Sequence, residues 1–537
     1  MKPGGAALAF ALAGFLALAG CSRRETPVQS GDRDQVLHRG LGAEPADLDP
    51  HLATDTSYYT VLSALLEGLV SEDPVDLHPV PGAAESWEVA PGGLSYTFHM
   101  RAGARWSDGE PVTSQDFVDS WRRVLSPGLG ATAASQLYII RGAEAFNRGD
   151  PDFSNVGLRA PDPRTLVVTL AHPVPWFLSV LSGPAWMPVP VAAIARLGPL
   201  DARGNSWASP GTWVGNGPFV LKAWSRGQEI VVERSPTYWD EASVRLSEIH
   251  FHPFDSLDSE ERSFRSGQLH VTEAIPPGRI DAYRRDSPGL LRVDPLLGTY
   301  FMRLNVRRPG LGDPRVRRAL ALAIDRQSIA AKVLRGGQGP AYSFTPPGMG
   351  AYAPEAAQRL DIDEARRLLA ESGYARGTGL PTFELLYNTS ESHREVAEAV
   401  QEMWRRNLGV KVALLNQELK STEEARRSGD YDLLLSSWIA DYPDPSAFLE
   451  MWRSGSGDNF TGWSSPAYDA FLSRADDVAD AGARIALYGQ AERLLLNEAP
   501  IAPLYHYTHV FLIQPSVHGW YPTRLDHHPY KAVWLGP

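Results

Sequence analysis

Asp441 stands between Trp438 and Tyr442 in the run Leu433-Leu434-Leu435-Ser436-Ser437-Trp438-Ile439-Ala440-Asp441-Tyr442-Pro443-Asp444-Pro445. An apolar stretch that meets two prolines within three residues reads as a buried strand running out into a turn, which puts Asp441 at a strand end. Two aromatic neighbours shield its carboxylate partly from water, and a shielded anion is costly without a cation beside it. A free amine is the simplest ligand that satisfies it. The competing reading is a turn aspartate bonded to its own backbone, and residue type and position alone leave both open.

Other chemistries find little support. The sequence has no Gly-x-Ser-x-Gly elbow and no His-Glu-x-x-His helix, and Gly204-Asn205-Ser206-Trp207-Ala208 is too weak a match to count. No catalytic residue is assigned and the chain is read as a non-enzyme, with a secreted hydrolase as the rival. His506, His509, His527 and His528 gather near the C-terminus and raise a second rival, a carrier of a metal or metal chelate. Without evidence that their rings converge, the four read as surface or turn residues, and neither a metal ligand nor a cofactor is assigned.

The start of the chain says where such a ligand is met. Lys2 precedes an uncharged run from Ala6 to Ala19 that ends in Leu18-Ala19-Gly20-Cys21. A basic start, a short apolar core and small residues describe a secretory signal over residues 1–20, too short to span a bilayer as a permanent helix. Its last four residues resemble a bacterial lipobox, which implies lipid attachment at Cys21. Cys21 is the only cysteine of 537 residues, leaving no disulfide framework and no thiolate metal cluster. Residues 21–34 are polar and read as a lipidated flexible tether.

Beyond the tether, 43% apolar and 10% aromatic content in a chain of this length is enough for a large core in more than one domain. A net charge of −12 without long single-sign runs argues against nucleic acid as a partner. No second apolar stretch is long enough to cross a membrane. The 48 glycines and 43 prolines are spread evenly, which points to many short turns and to no low-complexity segment.

Tyr58, Val61, Leu62, Leu65 and Leu66 fall at helical spacing before Gly68. Leu94 to Arg101 alternates with a period of two, as a half-buried strand does. Asp108-Gly109 turns the chain, and Thr113 or Ser114 caps a helix carrying Phe117, Val118, Trp121 and Val124. Asp313-Pro314 is an N-cap with a first-turn proline before Val316, Ala319, Leu320, Ala323 and Ile324, and Asp363 to Gly373 reads as another capped helix. The run from Glu233 to Trp239 reads as a turn after a strand, and its arginine and tyrosine stay out of the site. Strands and helices alternate after about Val220 and again from Asp361 to Val412, the pattern of an α/β fold.

Several segments, taken in order, resemble the extracytoplasmic peptide-binding proteins of bacterial ATP-driven importers, the oligopeptide and dipeptide binders. They are Leu48-Asp49-Pro50, Glu67-Gly68-Leu69, Ala84-Glu85-Ser86-Trp87, Tyr96 to Arg101, Trp106-Ser107-Asp108-Gly109, Val112 to Phe117, Glu233 to Trp239, Asp313 to Leu320 with Ile324-Asp325-Arg326, and Leu386 to Ser390. The resemblance spans nearly the whole mature chain. It implies an α/β fold, the two-lobe periplasmic-binding-protein clam-shell, with an extra domain in the first lobe. By that likeness the first lobe comprises residues 35–66, 186–297 and 507–537, the extra domain 67–185 and the second lobe 298–506. The implied role is a monomer, lipid-anchored in the periplasm or at the cell surface, that binds peptides and delivers them to ABC transporter permease subunits. A different small solute, such as a nickel chelate, is the alternative cargo.

An extended peptide presents the same backbone whatever its side chains, so an unselective binder grips the main chain and the ends and leaves side chains in wet pockets. Asp441 fits the family's Trp-x-x-Asp-Tyr motif, whose aspartate pairs with the peptide α-amine, and Trp438 and Tyr442 then form apolar walls or remain core. His393 matches a family histidine near the peptide carboxylate, Arg426 matches a family arginine after Asn416-Gln417-Glu418, and Asn388 joins them from the matched Leu386 to Ser390 segment. A helix-face histidine or an exposed arginine is also ordinary surface, and Arg427 could substitute for Arg426. The chain departs from the best-known oligopeptide binders at Leu435, where they carry a further carboxylate-binding arginine, and at Leu419, where they carry a tryptophan.

Overall fold

The computed structural model describes residues 25–52, 56–354, 358–478 and 480–537. The expected signal sequence and Cys21 lie outside them. Where the sequence predicts a tether running to Asp34, residues Pro27–Asp34 form a helix, α1. The Thr26 side chain accepts from the Gln29 N–H at 3.3 Å, and the Gln29 side chain accepts from the Thr26 N–H at 3.0 Å. Val28 donates its N–H to the Gly267 carbonyl at 3.0 Å and docks the helix on the body. The segment is poor in apolar residues, so composition reads it as linker. Reciprocal capping, a first-turn proline and docking make it a helix.

Gln35 ends α1 in the left-handed region, with φ 58°. Its side chain donates to the Leu535 carbonyl at 2.6 Å and accepts from the Leu535 N–H at 3.1 Å. β1 (Val36–Gly42) and α2 (Thr56–Leu65) follow, and α2 buries Tyr58, Val61, Leu62 and Leu65 as their spacing predicts. β2 (Ala84–Val89), β3 (Ser95–Met100), α3 (Ser114–Leu125), β4 (Leu158–Asp162) and β5 (Thr165–Thr169) build an antiparallel sheet in the order β2-β3-β5-β4. β3 turns Tyr96, Phe98 and Met100 inward, and α3 starts at a Thr113–Asp116 capping box. β6 (Phe219–Ser225), β7 (Glu229–Arg234) and β8 (Glu248–Pro253) then return to β1, in the order β1-β8-β7-β6, with β1 and β8 parallel. Both sheets share one continuous core that includes Phe98, Trp121, Trp186, Phe219 and Phe251, and together they form the first lobe. Just after β7, Tyr238 and Trp239 donate to the buried Glu67 carboxylate at 2.5 and 2.7 Å, a structural bridge.

The second lobe follows from β9 (Leu291–Leu304) through α4 (Pro314–Leu322), β10 (Phe383–Asn388), α5 (Glu391–Leu408), β11 (Val412–Gln417), α6 (Leu419–Ser428), β12 (Leu433–Ile439), α7 (Ala481–Glu498) and β13 (Ile501–Leu512). Its sheet runs from the short strand Gly339–Pro340 through β13, β9, β12 and β10 to β11. β10 is parallel to both β11 and β12, with α5 and α6 as the crossovers that parallel pairing requires. Met302, Leu320, Leu385, Trp404 and Leu433 pack its core, separate from that of the first lobe.

β9 and β13 connect the lobes. Leu291 to Pro295 pairs with Leu512 to Thr508, Thr299 to Arg303 pairs with His506 to Ile501, and the ladder is interrupted between Pro295 and Thr299. Leu291 and Leu512 pack with Phe264 and Ile280, whereas Tyr300 and Met302 belong to the second-lobe core. The lobe boundaries expected at 297/298 and 506/507 therefore fall inside two continuous strands. At the interruption Gly298 lets the strands approach closely, since a Cβ there would lie 3.0 Å from the Tyr507 ring. No helix among the described residues is long and apolar enough to cross a membrane.

Candidate functional site

β12 carries the chain out of the second-lobe sheet. Trp438, opposite Thr299 on β9, donates its indole N–H to the Ala447 carbonyl at 2.6 Å, and Ala440 donates its N–H to Leu297 at 2.8 Å. The aspartate that builds the turn is Asp444: its Oδ1 accepts from the Ser446 N–H at 3.0 Å and the Ser446 hydroxyl at 2.8 Å, and its Oδ2 pairs with Arg484 at 2.9 Å. No described residue hydrogen-bonds or ion-pairs with the Asp441 carboxylate. Water reaches Asp441, yet protein surrounds it closely. That burial pushes its carboxyl above the usual carboxylate range, with Asp458 adding to the effect and His527 opposing it.

Tyr442 reaches across to the first lobe while its hydroxyl accepts from Ser446 at 3.3 Å. Its ring stacks on Trp176 with centroids 4.1 Å apart and planes at 15°, and it packs against the first-lobe core. Trp438 packs instead on the second-lobe cluster around Phe448 and Trp452. Asp441 thus sits at a seam where one neighbour faces each lobe. From the C-terminal segment, His527 faces the same seam, its ring stacked on Tyr59 at 3.9 Å and its Nδ1 3.0 Å from Glu72. Burial alone would raise Glu72, but His527, Ser182 and Tyr59 hold it below its ordinary range. Glu72, Tyr59 and Ser182 also line a cavity of about 50 Å3.

Asn388 and His393 come together where β10 passes into α5. His393 Nδ1 lies 2.8 Å from Asn388 Oδ1, and the ring stacks on Tyr300, which stacks in turn on Tyr505, each pair 4.9 Å apart. Burial holds His393 below the ordinary histidine range, so near neutral pH the ring is uncharged. Arg426 on α6 is half-buried over the Phe460 ring at 4.9 Å, pairs with Glu423, and has an Nε without a partner among the described residues. Arg427 and Leu419 are exposed.

Sequence reasoning missed Arg303. It is fully buried on β9, donating from Nε to Ser436 at 3.2 Å and from Nη1 to the carbonyls of Asp458 and Asn459 at 2.9 and 2.7 Å, while Nη2 is unpartnered. Burial, with Arg426 nearby, brings its pKa down to about 10. The signal was there: a lone charge inside the apolar run Tyr300-Phe301-Met302-Arg303-Leu304. Leu435, beside Ser436, points into the second-lobe core.

His528 is buried and His506, His509 and His527 are half-buried, so the C-terminal histidines are not free surface or turn residues. His506 meets Thr299 Oγ1 at 2.9 Å, and His509 and His528 flank Asp526 Oδ1 at 2.8 and 3.0 Å, with the buried His528 stacked on Trp520 at 4.1 Å. Each is held by a protein partner, because inward-facing polar rings need one. An isolated histidine in a sequence carries no burial signal of its own.

A family model described as bacterial extracellular solute-binding proteins, family 5, matches residues 78–460. The chain belongs to that family. Among its family 5 relatives, the periplasmic oligopeptide-binding protein OppA of Escherichia coli is 39% identical over 495 residues, covering 90% of each chain. A second Escherichia coli relative, named Probable deoxycholate-binding periplasmic protein YgiS, is 36% identical over 508 residues, covering 93% of this chain and 92% of its own. The solved structure of the Escherichia coli murein tripeptide binding protein MppA superposes with a TM-score of 0.80 at 35% identity, over 93% of this chain and 98% of that one. The two-lobe α/β clam-shell is the fold of this family 5 protein.

Proposed function

We propose that this protein is an extracytoplasmic peptide carrier that closes its lobes around a peptide, holds the peptide α-amine at Asp441 and presents the ligand, chemically unaltered, to the permease of an ABC importer. One observation carries the reading: Asp441 stands at the seam between the lobes, open to water and without a described partner, while Asp444 takes the structural bonds of the turn. A carboxylate so placed is stabilised by an incoming ammonium group. Trp438 and Tyr442 form the apolar walls on either side. For the peptide's other end, Asn388, His393 and Arg426 offer hydrogen bonds and charge, and Arg303, bonded to Ser436, supplies a guanidinium next to the position where Leu435 lacks one. Lipid attachment at Cys21 keeps the monomer at its membrane. The names of relatives, oligopeptide-binding and murein tripeptide binding, agree with an amine-bearing ligand.

The relative named for deoxycholate sets the rival, a ligand with a carboxylate and no amine. Mass spectrometry of the molecules released from purified protein, followed by calorimetry with a free-amine tripeptide and with deoxycholate, separates the two. Peptides among the released molecules and tighter binding of the tripeptide are expected. Deoxycholate binding without peptide binding overturns the reading.

A further inference from the structure

β8 alternates between two environments. Ile249 and Phe251 enter the first-lobe core, so His250 and His252 project from the opposite face of the sheet. His38 on the neighbouring β1 is the register partner of His250 and shares that face. Three imidazoles thus meet on two adjacent strands, a convergence that no spacing along the chain announces. His38 Nδ1 and His252 Nε2 are 3.1 Å apart. Two nitrogens bound tetrahedrally to one zinc ion are separated by about 3.3 Å.

One ligating nitrogen from each of the three rings lies within 4.8 Å of the others. Two opposed zinc–nitrogen bonds span about 4.2 Å, so a small rotation of one side chain closes the set. The surroundings favour such a site. His250 Nε2 meets Glu248 Oε2 at 2.9 Å, and the other Glu248 oxygen accepts from Lys222 at 2.6 Å. A carboxylate that fixes one ring nitrogen while the other ligates is the usual support of a metal-binding histidine. Glu229 Oε2 lies 3.1 Å from His250 Nδ1, the nitrogen left to ligate, and yields it when an ion binds. Behind the cluster His270 accepts the His38 backbone N–H at 2.9 Å, and its ring is parallel to that of His38 at 5.8 Å, which fixes this stretch of β1.

We propose that His38, His250 and His252 bind a divalent transition-metal ion of the zinc class on the outer face of the first-lobe sheet, with Glu248 as the orienting partner of His250. Imidazole donors suit zinc, copper and nickel and not the oxygen-seeking calcium or magnesium. The site lies on β1 and β8, away from the β12 turn that carries Asp441, so the ion joins the first strand of the fold to a strand formed much later in the chain. Its role is structural, and peptide binding does not depend on it.

The test uses mature protein without a polyhistidine tag, stripped with a chelator and titrated calorimetrically with zinc chloride. One equivalent of zinc is expected to bind and to raise the melting temperature. A cobalt(II) titration should give the intense visible bands of a four-coordinate ion. His38→Ala and His252→Ala each lower zinc affinity by tenfold or more, and Glu248→Gln lowers it by about 10- to 100-fold. Should an alanine variant fold poorly, His252→Gln keeps the hydrogen bonding and removes the ligand. Circular dichroism and tripeptide affinity stay as in the wild type. Failure to take up stoichiometric zinc overturns the proposal. So does uptake that survives loss of His38 and His252 but disappears in His78→Ala, which would assign the ion to the group Asp73, Asp76 and His78.

Discussion

Tyr442 lies flat against Trp176, so an aromatic ring delivered by the second lobe's β12 turn is seated in the first lobe. Because Asp441 is its immediate neighbour, the stack also fixes where that carboxylate stands at the seam. Such a stack contributes about 0.5–1.5 kcal/mol beyond area burial. Trp176→Ala should therefore shift the population toward the open form and weaken ligand binding about two- to tenfold. Small-angle scattering of the ligand-free variant should give a larger radius of gyration than the wild type. Superimposable curves would mean the stack does not hold the lobes together.

Asp441→Asn keeps the shape of the side chain and removes its charge. A free-amine peptide should lose on the order of 2–5 kcal/mol of binding, because a desolvated ammonium is left without its partner. Acetylating the peptide amine should produce a comparable loss with wild-type protein, and the two losses should not add when combined. Calorimetry on the four combinations decides: full additivity, or unchanged affinity in Asp441→Asn, makes Asp441 irrelevant to the amine.

His393 sets a pH dependence. With Nδ1 bonded to Asn388 Oδ1, the neutral ring presents a lone pair at Nε2, which repels a carboxylate until the ring is protonated. A bound carboxylate thus favours the charged ring and opposes the burial that lowers its pKa. Peptides with a free C-terminus should gain affinity, relative to the same peptides as C-terminal amides, as pH falls from about 7.5 to about 5.5. His393→Gln should abolish that difference. A flat ratio in the wild type would separate His393 from the peptide carboxylate.

His509 should govern the alkaline limb of stability. Burial works against its charge, but Asp526 and Glu273 outweigh it and raise the pKa to about 9. A folded value above the unfolded one of about 6.5 means that the stabilisation is complete below the unfolded value and is lost as pH rises through the folded one. The melting temperature of the wild type should fall more steeply than that of His509→Gln between pH about 7 and about 9. Parallel melting curves across this range would remove the ion pair from the account.

Cys21→Ser should release the protein from its membrane, since several acyl chains anchor firmly where one does so only marginally. Fractionation that finds the serine variant still membrane-bound and processed as before would rule out lipid attachment there.

Much of this could be read locally. The β12 strand end, the Thr113 and Asp313 caps and the α2 face each follow from a few neighbouring residues, and the structure forms them. Long-range partners could not be read that way. Trp176, Glu72 and His527 reach the Asp441 seam from separate parts of the chain, and no period or cap in any one segment points at another. Two aspartates three residues apart gave no hint of which would bond to the turn; only the Ser446 and Arg484 contacts of Asp444 distinguish them. α1 escaped notice because its stabilisation comes from capping and docking, while its composition is that of a linker. Arg303 was visible as an anomaly, a charge within an apolar strand, but its carbonyl partners lie far along the sequence.

Gln35 clasps Leu535 across 500 residues of chain. A ribosome releases the first of these residues long before the second, and β1 waits in its turn for β8, where Val36 pairs with Glu248. The first lobe cannot reach its final form until Leu535 has been made, because Gln35 closes on it. Contacts of such long sequence separation slow folding. Slow completion leaves an interval in which the first lobe is still open, and Gln35→Ala, which removes both Leu535 contacts, should lengthen that interval.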